Sequence, residues 1–153
     1  NGDTATANAL DDYEEGTWTV QLTGSSSGTS NDGTSGTGFD TASGVYTKVG
    51  NTCYFTMHLA NVHDGDVGGD LRFSLPFTAS NGQSSTTNLR MVGACAMSGV
   101  DYTQVGQANM YIESGDAFCR IAETIDNTGL DWLNTNNVDN DANDIFMSGF
   151  FFV

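Results

Sequence analysis

The feature that most constrains this chain is an alternation of apolar and polar residues in short segments. In "CYFTMHL" the apolar residues Cys53, Phe55, Met57 and Leu59 fall on one face of a strand, and the residues between them fall on the other. The same period of two recurs in "GTWTVQL", "LRFSLPF", "NLRMVGACAM" and "DIFMSGFFFV". A helix would scatter such residues around its axis, so the alternation predicts β-strands.

Turn residues separate these segments and indicate how the strands are joined. The 153 residues include 19 glycines and one proline, and the turns at Gly50–Asn51 and in "ESGD" are typical of β-hairpins. Short strands at this spacing predict an all-β fold, an antiparallel β-sandwich or jelly roll of about eight strands. Residues 1–15 lack the alternation and are predicted to be an extended or short helical lead-in to a β-sandwich domain over residues 16–153.

The charge of the chain excludes several classes of partner. Four basic residues stand against nineteen acidic ones, for a formal net charge of −15. Nucleic acid is not an expected partner, because phosphate binding relies on Lys and Arg to release counterions. Anionic lipid is disfavoured for the same reason. The sequence has no apolar run approaching the ~18 residues of a membrane span, so no membrane insertion is expected.

Four carboxylates in "ALDDYEEGTWTV" raise the question of catalysis. A glycosidase needs two carboxylates facing each other across a sugar, but Asp11, Asp12, Glu14 and Glu15 lie within five residues of one another. A helical turn or capping segment with solvated acids is the favoured interpretation. The chain also lacks GxGxxG, P-loop and HExxH motifs. We therefore expect a protein that is not an enzyme.

Two Asp-rich turns are candidate calcium sites. In "HDGDVGGD" the carboxylates of Asp64, Asp66 and Asp70 alternate with glycines, as in loops that wrap a hard cation. A similar, weaker candidate is "DNDAND", with Asp139, Asp141 and Asp144. Both lack the closing Glu of an EF-hand, so a solvated Asx-rich turn is the favoured interpretation of each, and calcium binding is the alternative. Calcium is the only cofactor that the sequence suggests.

Histidines and cysteines do not form a metal-binding pattern. His58 and His63 lack a third ligand at zinc-like spacing, and His58 is expected to make a structural or interface contact. Cys53, Cys95 and Cys119 lie far apart in strand-like segments without a CxxC pair. Buried small hydrophobic residues are the favoured interpretation of the cysteines, and one disulfide plus one free thiol is the alternative.

Aromatic residues outside the predicted core are candidate saccharide platforms, because an aromatic ring packs against the apolar face of a pyranose. Trp132, Tyr102 and Tyr54 occupy loops or an outer strand face, and we predict ligand contacts for these three. For Trp132 a local hydrophobic plug is an equal alternative. Trp18 alternates with core residues and is expected to pack inside.

The last segment, "DIFMSGFFFV", is apolar on both faces. One face carries Ile145, Met147, Phe151 and Val153, and the other carries Phe146, Phe150 and Phe152. An antiparallel strand with one solvated face has polar residues on that face. Either the strand is central with both faces covered, or one face is buried against another subunit. We predict that the three phenylalanines form an oligomer interface.

Three motifs together resemble a known family. They are "LDDYEEGTWT", "GVYTKVGN" and "GDLRFSLPFT". The pattern is similar to that of a C-terminal module of tail-fibre and appendage proteins in marine, cyanophage-type bacteriophages. The resemblance covers roughly residues 8–80, and the three cysteines and the Phe-rich end are not part of it.

The resemblance implies a fold, an assembly and a role. It implies a β-sandwich that assembles as a homo-trimer with other virion proteins at the distal end of an appendage, where residues 1–15 lead in from a stalk. The implied role is adhesion to a host-surface saccharide or structural closure of the fibre. Variable loops at 23–38 and 126–144 would then be the sites of recognition.

Other functions fit parts of the same sequence. A capsid decoration, or cement, protein that stabilises the phage head is the first alternative, and it would place the chain on the capsid surface of the virion. A polysaccharide depolymerase or a free carbohydrate-binding module is less favoured. Since the chain starts with Asn1, we expect it to be a piece of a longer protein.

Overall fold

The structure is a computed structural model of the 153-residue chain. It describes residues 12–26, 40–62, 67–81, 89–101, 106–124, 129–138 and 143–153. Statements below about structure refer to these ranges.

Ten strands and one short 3-10 helix make up the regular structure of the described residues. The strands are β1 (Tyr13–Trp18), β2 (Leu22–Gly24), β3 (Thr41–Val49), β4 (Thr52–Ala60), β5 (Leu71–Ser74), β6 (Arg90–Ser98), β7 (Gln107–Glu113), β8 (Phe118–Thr124), β9 (Leu130–Trp132) and β10 (Asp144–Phe152). The 3-10 helix spans Thr135–Asn137, and the described ranges contain no α-helix. The all-β prediction is confirmed.

The strands form one antiparallel sheet in the order β1-β3-β4-β10-β6-β7-β8-β5-β2, with β9 paired to β8 beside β5. The predicted hairpins are present: β3 joins β4 and β7 joins β8. Their turns contain Gly50 and Gly115 at φ of 59° and 92°, a conformation that favours glycine. Ten strands replace the predicted eight or so, because the three-residue strands β2 and β9 are too short to show an alternation.

The sheet curls until its two edges meet. β1 and β2 are opposite edges of the strand order, yet only residues 19–21 separate them in the chain. Trp18 Nε1, at the end of β1, donates to the Ser74 carbonyl of β5 at 3.1 Å, and Ser74 N donates to the carbonyl of Gln21 in the connecting segment at 2.9 Å, so β1 and its link to β2 both contact β5. The antiparallel, curled sheet is thus established, while the sandwich or jelly-roll description stays a prediction.

Strand β6 divides the sheet into two halves. Its residues 94–98 pair with β10, and its residues 90–93 pair with β7. We call β1, β3, β4, β10 and residues 94–98 the front half. Residues 90–93, β7, β8, β9, β5 and β2 are the back half.

One face of the curled sheet encloses the core. The largest fully buried side chains come from both halves: Leu22, Met57, Leu59, Leu71, Phe73, Met110, Ile112, Ile121, Leu133, Ile145 and Phe151. These belong to a single hydrophobic cluster, so the inner faces of the two halves share one core. The opposite, outer face carries the exposed positions of each strand. This separation follows from the period of two in the sequence.

The segment around "GTWTVQL" corrects two predictions. It was expected to be one strand after a lead-in ending at residue 15, but β1 already begins at Tyr13 and ends at Trp18. Glu14 and Glu15 therefore lie in an exposed edge strand, and the helical-turn interpretation is wrong for them. Apolar alternation persists to Leu22 because Val20 and Leu22 both reach the core while the chain crosses from one edge of the sheet to the other.

The three cysteines are free thiols, and Cys53 and Cys119 are fully buried, which confirms the hydrophobic interpretation for these two. Burial raises the pKa of Cys53 to about 11 and that of Cys95 to about 12. Burial also raises the pKa of Cys119. No helix within the described ranges has the length and apolar character needed to cross a membrane.

Candidate functional site

The outer face of the front half is the main candidate surface. Strand register aligns its side chains in rows that cross the strands. One row runs from Thr47 in β3 through Tyr54 in β4 to Phe150 in β10, and another runs from His58 through Phe146 to Ala96. We call this surface the front outer face.

Two aromatic pairs stand on this face. The rings of Tyr54 and Phe150 lie 6.0 Å apart between centroids and are tilted by 41°. The rings of His58 and Phe146 are stacked, with centroids 4.3 Å apart and planes 8° from parallel. The two pairs are four residues apart along β4, which separates them by about 13 Å. Both lie on central strands whose partners fix their spacing.

A shallow groove crosses the strands between the aromatic pairs. Its floor includes Thr56 and Ser148, which are neighbours in the register of β4 and β10. One depression of about 350 Å³ reaches from there to Val45, and a second of about 170 Å³ reaches to Ala94. The floor presents neutral hydroxyl groups, and the walls are rings. Such a groove suits apolar surfaces and uncharged polar groups.

The front outer face is nearly free of charge. Glu15 lies at its β1 margin, and Asp144 lies at the start of β10, where its carboxylate is 3.6 Å from His58 Nε2. The other outer positions of β3, β4, β10 and the front part of β6 are Ser, Thr, Ala, Val, His or aromatic residues. On a chain with a net charge of −15, the described residues of this face therefore include few carboxylates.

Exposed large apolar side chains concentrate on the same face. Six of the eight in the described ranges lie there: Tyr13, Val45, Val49, Tyr54, Phe146 and Phe150. Val92 adjoins them on β6, and Leu130 on β9 is the exception. Phe146 and Phe150 are each 45% exposed, a large fraction for a phenylalanine. The face therefore has the composition of a surface that another molecule covers.

The last strand, β10, has the central position that one of the two sequence-based alternatives required, but its outer face is exposed. β10 lies centrally between β4 and β6, with Ile145, Met147 and Phe151 buried. A central position with both faces covered within the chain is wrong, because Phe146 and Phe150 are exposed. Phe152 differs from them, since it is partly buried and also packs against the core. The oligomer-interface prediction stays open.

Trp132 lies on the outer face of the back half, away from Tyr54. It is partly buried in β9, with its ring 5.1 Å from that of Tyr111 and the Arg120 guanidinium 4.2 Å from its centroid. Tyr102, the third predicted ligand contact, lies outside the described residues. The structure thus does not unite the predicted ligand residues in one site.

The calcium prediction is only partly covered by the structure. Asp70 pairs with Asn134 in an isolated bridge, whereas Asp64 and Asp66 lie outside the described residues. Asp139 and Asp141 also lie outside them. Within the described ranges, no group of three or more His, Cys, Asp or Glu residues is arranged to hold a metal ion. Calcium binding at "HDGDVGGD" stays a prediction.

Sequence reasoning missed the pairing of Tyr54 with Phe150. The sequence assigned Tyr54 to a ligand site and Phe150 to an interface, because they are 96 residues apart in number. Alternation does place each on an outer face, but it does not say that β4 and β10 are neighbours. The sheet order supplies that information. It places the predicted ligand residue Tyr54 and the predicted interface residue Phe150 on the same surface, so the two predictions are alternatives for that surface.

Comparisons of the chain with protein-family models, with curated proteins and with solved structures gave no significant match.

Proposed function

We propose that this chain is a non-enzymatic structural module of a phage virion, at the tip of a tail fibre or appendage, that self-associates through the front outer face. The carrying observation is that this face is apolar and almost free of carboxylates on a strongly acidic chain. The placement in a virion rests on the resemblance of "LDDYEEGTWT", "GVYTKVGN" and "GDLRFSLPFT" to appendage modules. The same resemblance implies that the curled sheet is a two-layered β-sandwich, and we include this fold in the proposal.

Charge selects the surface through which copies can meet. Two chains of net charge −15 repel each other, and the repulsion is worst where carboxylates would be brought together. On the front outer face the carboxylates of Glu15 and Asp144 lie at opposite margins, so the centre can be covered at little electrostatic cost. Covering it also removes Phe146 and Phe150 from water, which favours association.

The size of the face is adequate for an interface. Three strands of nine residues, the six residues of β1 and five residues of β6, each rising roughly 3.3 Å at a strand spacing of about 4.8 Å, give a surface of roughly 600 Å². Each partner buries about 800 Å² in a protein interface of standard size. We propose a trimer, as the resemblance implies, in which the face of each copy is shared between two neighbours around a three-fold axis, so the comparison with a standard interface applies to the total area that each copy buries.

Light scattering with matched variants tests this proposal. The chain is expected to have three times its single-chain mass of 16.2 kDa, and Phe150→Asp is expected to reduce it to the mass of one chain. Leu130→Asp is the control, because Leu130 is also exposed (48%) but lies on the back half. Circular dichroism checks that each variant folds. A monomeric wild-type protein would contradict the proposed self-association, and a dimer would contradict the proposed trimer.

Immunogold labelling of virions tests the location. Label at the fibre or appendage tip is expected, and label on the capsid surface would instead support a decoration protein.

A neutral saccharide is a second candidate occupant, favoured by the groove with its hydroxyl floor and aromatic walls. Saccharide binding predicts a different result from self-association: the chain would be monomeric and would bind an uncharged oligosaccharide, and Tyr54→Ala would abolish that binding. That result would replace self-association as the function of this face.

A further inference from the structure

The three arginines of the chain all lie on the back half of the sheet. Arg72 is in β5, Arg90 is in the back part of β6, and Arg120 is in β8. The only other basic residue, Lys48, is in β3 of the front half. A chain with nineteen acidic residues has therefore placed three of its four cations on one half, where they offset the carboxylates of Glu113, Asp116, Glu123 and Asp131.

Two of these arginines have protein partners. Arg120 Nη2 lies 3.1 Å from one carboxylate oxygen of Glu113, and Arg90 Nη2 lies 3.2 Å from the other. Arg120 also lies 3.9 Å from Asp116. Glu113 is thus bridged by two guanidinium groups, and both arginines have a structural role in the sheet.

Arg72 differs from them because none of the described residues accepts a hydrogen bond from its guanidinium. Its guanidinium lies over the Phe118 ring, 4.6 Å from the centroid. Its Nε is buried without a hydrogen-bond partner, and no salt bridge or side-chain hydrogen bond joins Arg72 to another of the described residues. Arg72 is only partly buried, so its guanidinium has donors left for an acceptor that comes from outside.

The surroundings of Arg72 define the chemistry of that acceptor. A guanidinium that rests over a ring presents its N–H groups in a planar fork, which matches the two oxygens of a carboxylate or sulfate. Arg120 carries a second guanidinium nearby, lying 5.8 Å from the same Phe118 ring and 4.2 Å from the Trp132 ring. Planar groups and rings beside an anion site suit a sugar that bears the anion.

We infer that Arg72 binds the carboxylate or sulfate group of an acidic saccharide on the outer face of the back half. The choice of a saccharide rests on the host-attachment role proposed above, whereas the anion site rests on Arg72 alone. Assembly through the front outer face leaves this surface facing outward, so one module can assemble and attach at once. Trp132, predicted from the sequence as a ligand platform, then lies at the margin of the site.

Calorimetry with three related probes tests the inference on the wild-type assembly. They are an oligogalacturonate, which carries carboxylates, its neutral methyl ester, and a sulfated galactan oligosaccharide. We expect one of the acidic probes to bind and the methyl ester not to bind. Which acidic probe binds distinguishes the carboxylate from the sulfate.

Variants of Arg72 test whether this residue forms the anion site. Arg72→Met retains an apolar cover over Phe118 but removes the fork, and we expect binding at least about tenfold weaker. Arg72→Lys retains the charge without the fork and is also expected to bind more weakly. Lys48→Met is the control, because it makes the same change in net charge on the other half and should bind as the wild type does.

Three outcomes overturn the inference: no binding of either acidic probe, equal binding of the methyl ester, or unchanged binding by Arg72→Met. Each of these leaves the mass of the assembly and its position on the virion unaffected. A failure of the anion site is therefore distinguishable from a failure of the proposed function.

Discussion

At the scale of single residues, the absence of a side chain at Gly44 positions Trp18. The two residues face each other in the register of β1 and β3, and a Cβ at Gly44 would overlap the indole ring. Held there, Trp18 packs edge-on to Phe55 with ring centroids 6.1 Å apart and donates Nε1 to the Ser74 carbonyl. One glycine thus fixes the contact that closes the curled sheet.

Substitution of Gly44 tests this contact. We expect Gly44→Ala to displace the indole and lower the free energy of unfolding by about 1–3 kcal/mol, as for other overpacked sites. Denaturant unfolding followed by tryptophan fluorescence measures the loss. Gly129→Ala is the control, because nothing lies within 4 Å of a Cβ there. Equal losses in the two variants would show that Gly44 does not hold Trp18.

At the scale of strands, the sequence predicted those that are long and alternate. β4 and β10 have nine residues each, and their inner and outer faces follow directly from the period of two. β2 and β9 were missed because three residues contain no full repeat. The break between Trp18 and Leu22 was also missed, because core burial continues on both sides of it.

The candidate surfaces were harder to predict for a related reason. Alternation identified Tyr54, Phe146 and Phe150 as outer residues, but their proximity depends on which strands are neighbours. Similarly, nothing near Arg72 in the sequence indicates that its side chain lies over Phe118, 46 positions away. Local patterns in the sequence determine on which side of the sheet a residue lies. Pairing between strands that are distant in the sequence determines which residues lie together in one site.

The ion pairs at Glu113 give a prediction for the back half. Arg120 has a side chain only 15% exposed and joins β7 to β8, whereas Arg90 is 60% exposed. Arg120→Ala leaves the half-buried Glu113 with only the exposed partner, and we expect it to lower the free energy of unfolding by about 2 kcal/mol or more. Arg90→Ala is expected to cost less than about 1 kcal/mol. Denaturant titration compares them, and the reverse order would contradict this view of the network.

At the scale of the whole molecule, charge and apolar surface are divided between the two sides of one curled sheet. The front outer face concentrates exposed rings with almost no charge, and the back half carries the three arginines. The remaining carboxylates give the molecule its charge of −15. Assembly then balances a long-range repulsion against a short-range apolar contact, and salt acts on the two differently.

Ionic strength therefore gives a test of how the copies are held together. The screening length falls from about 30 Å at 0.01 M salt to about 8 Å at 0.15 M, so repulsion between chains weakens while the apolar contact does not. We expect sedimentation equilibrium to show tighter association at 0.15 M than at 0.01 M sodium chloride. Leu130→Asp should follow the wild type, and Phe150→Asp should remain a single chain at both concentrations. Association that weakens as salt is added would mean that ion pairs hold the copies together, and the front outer face would then be the wrong interface.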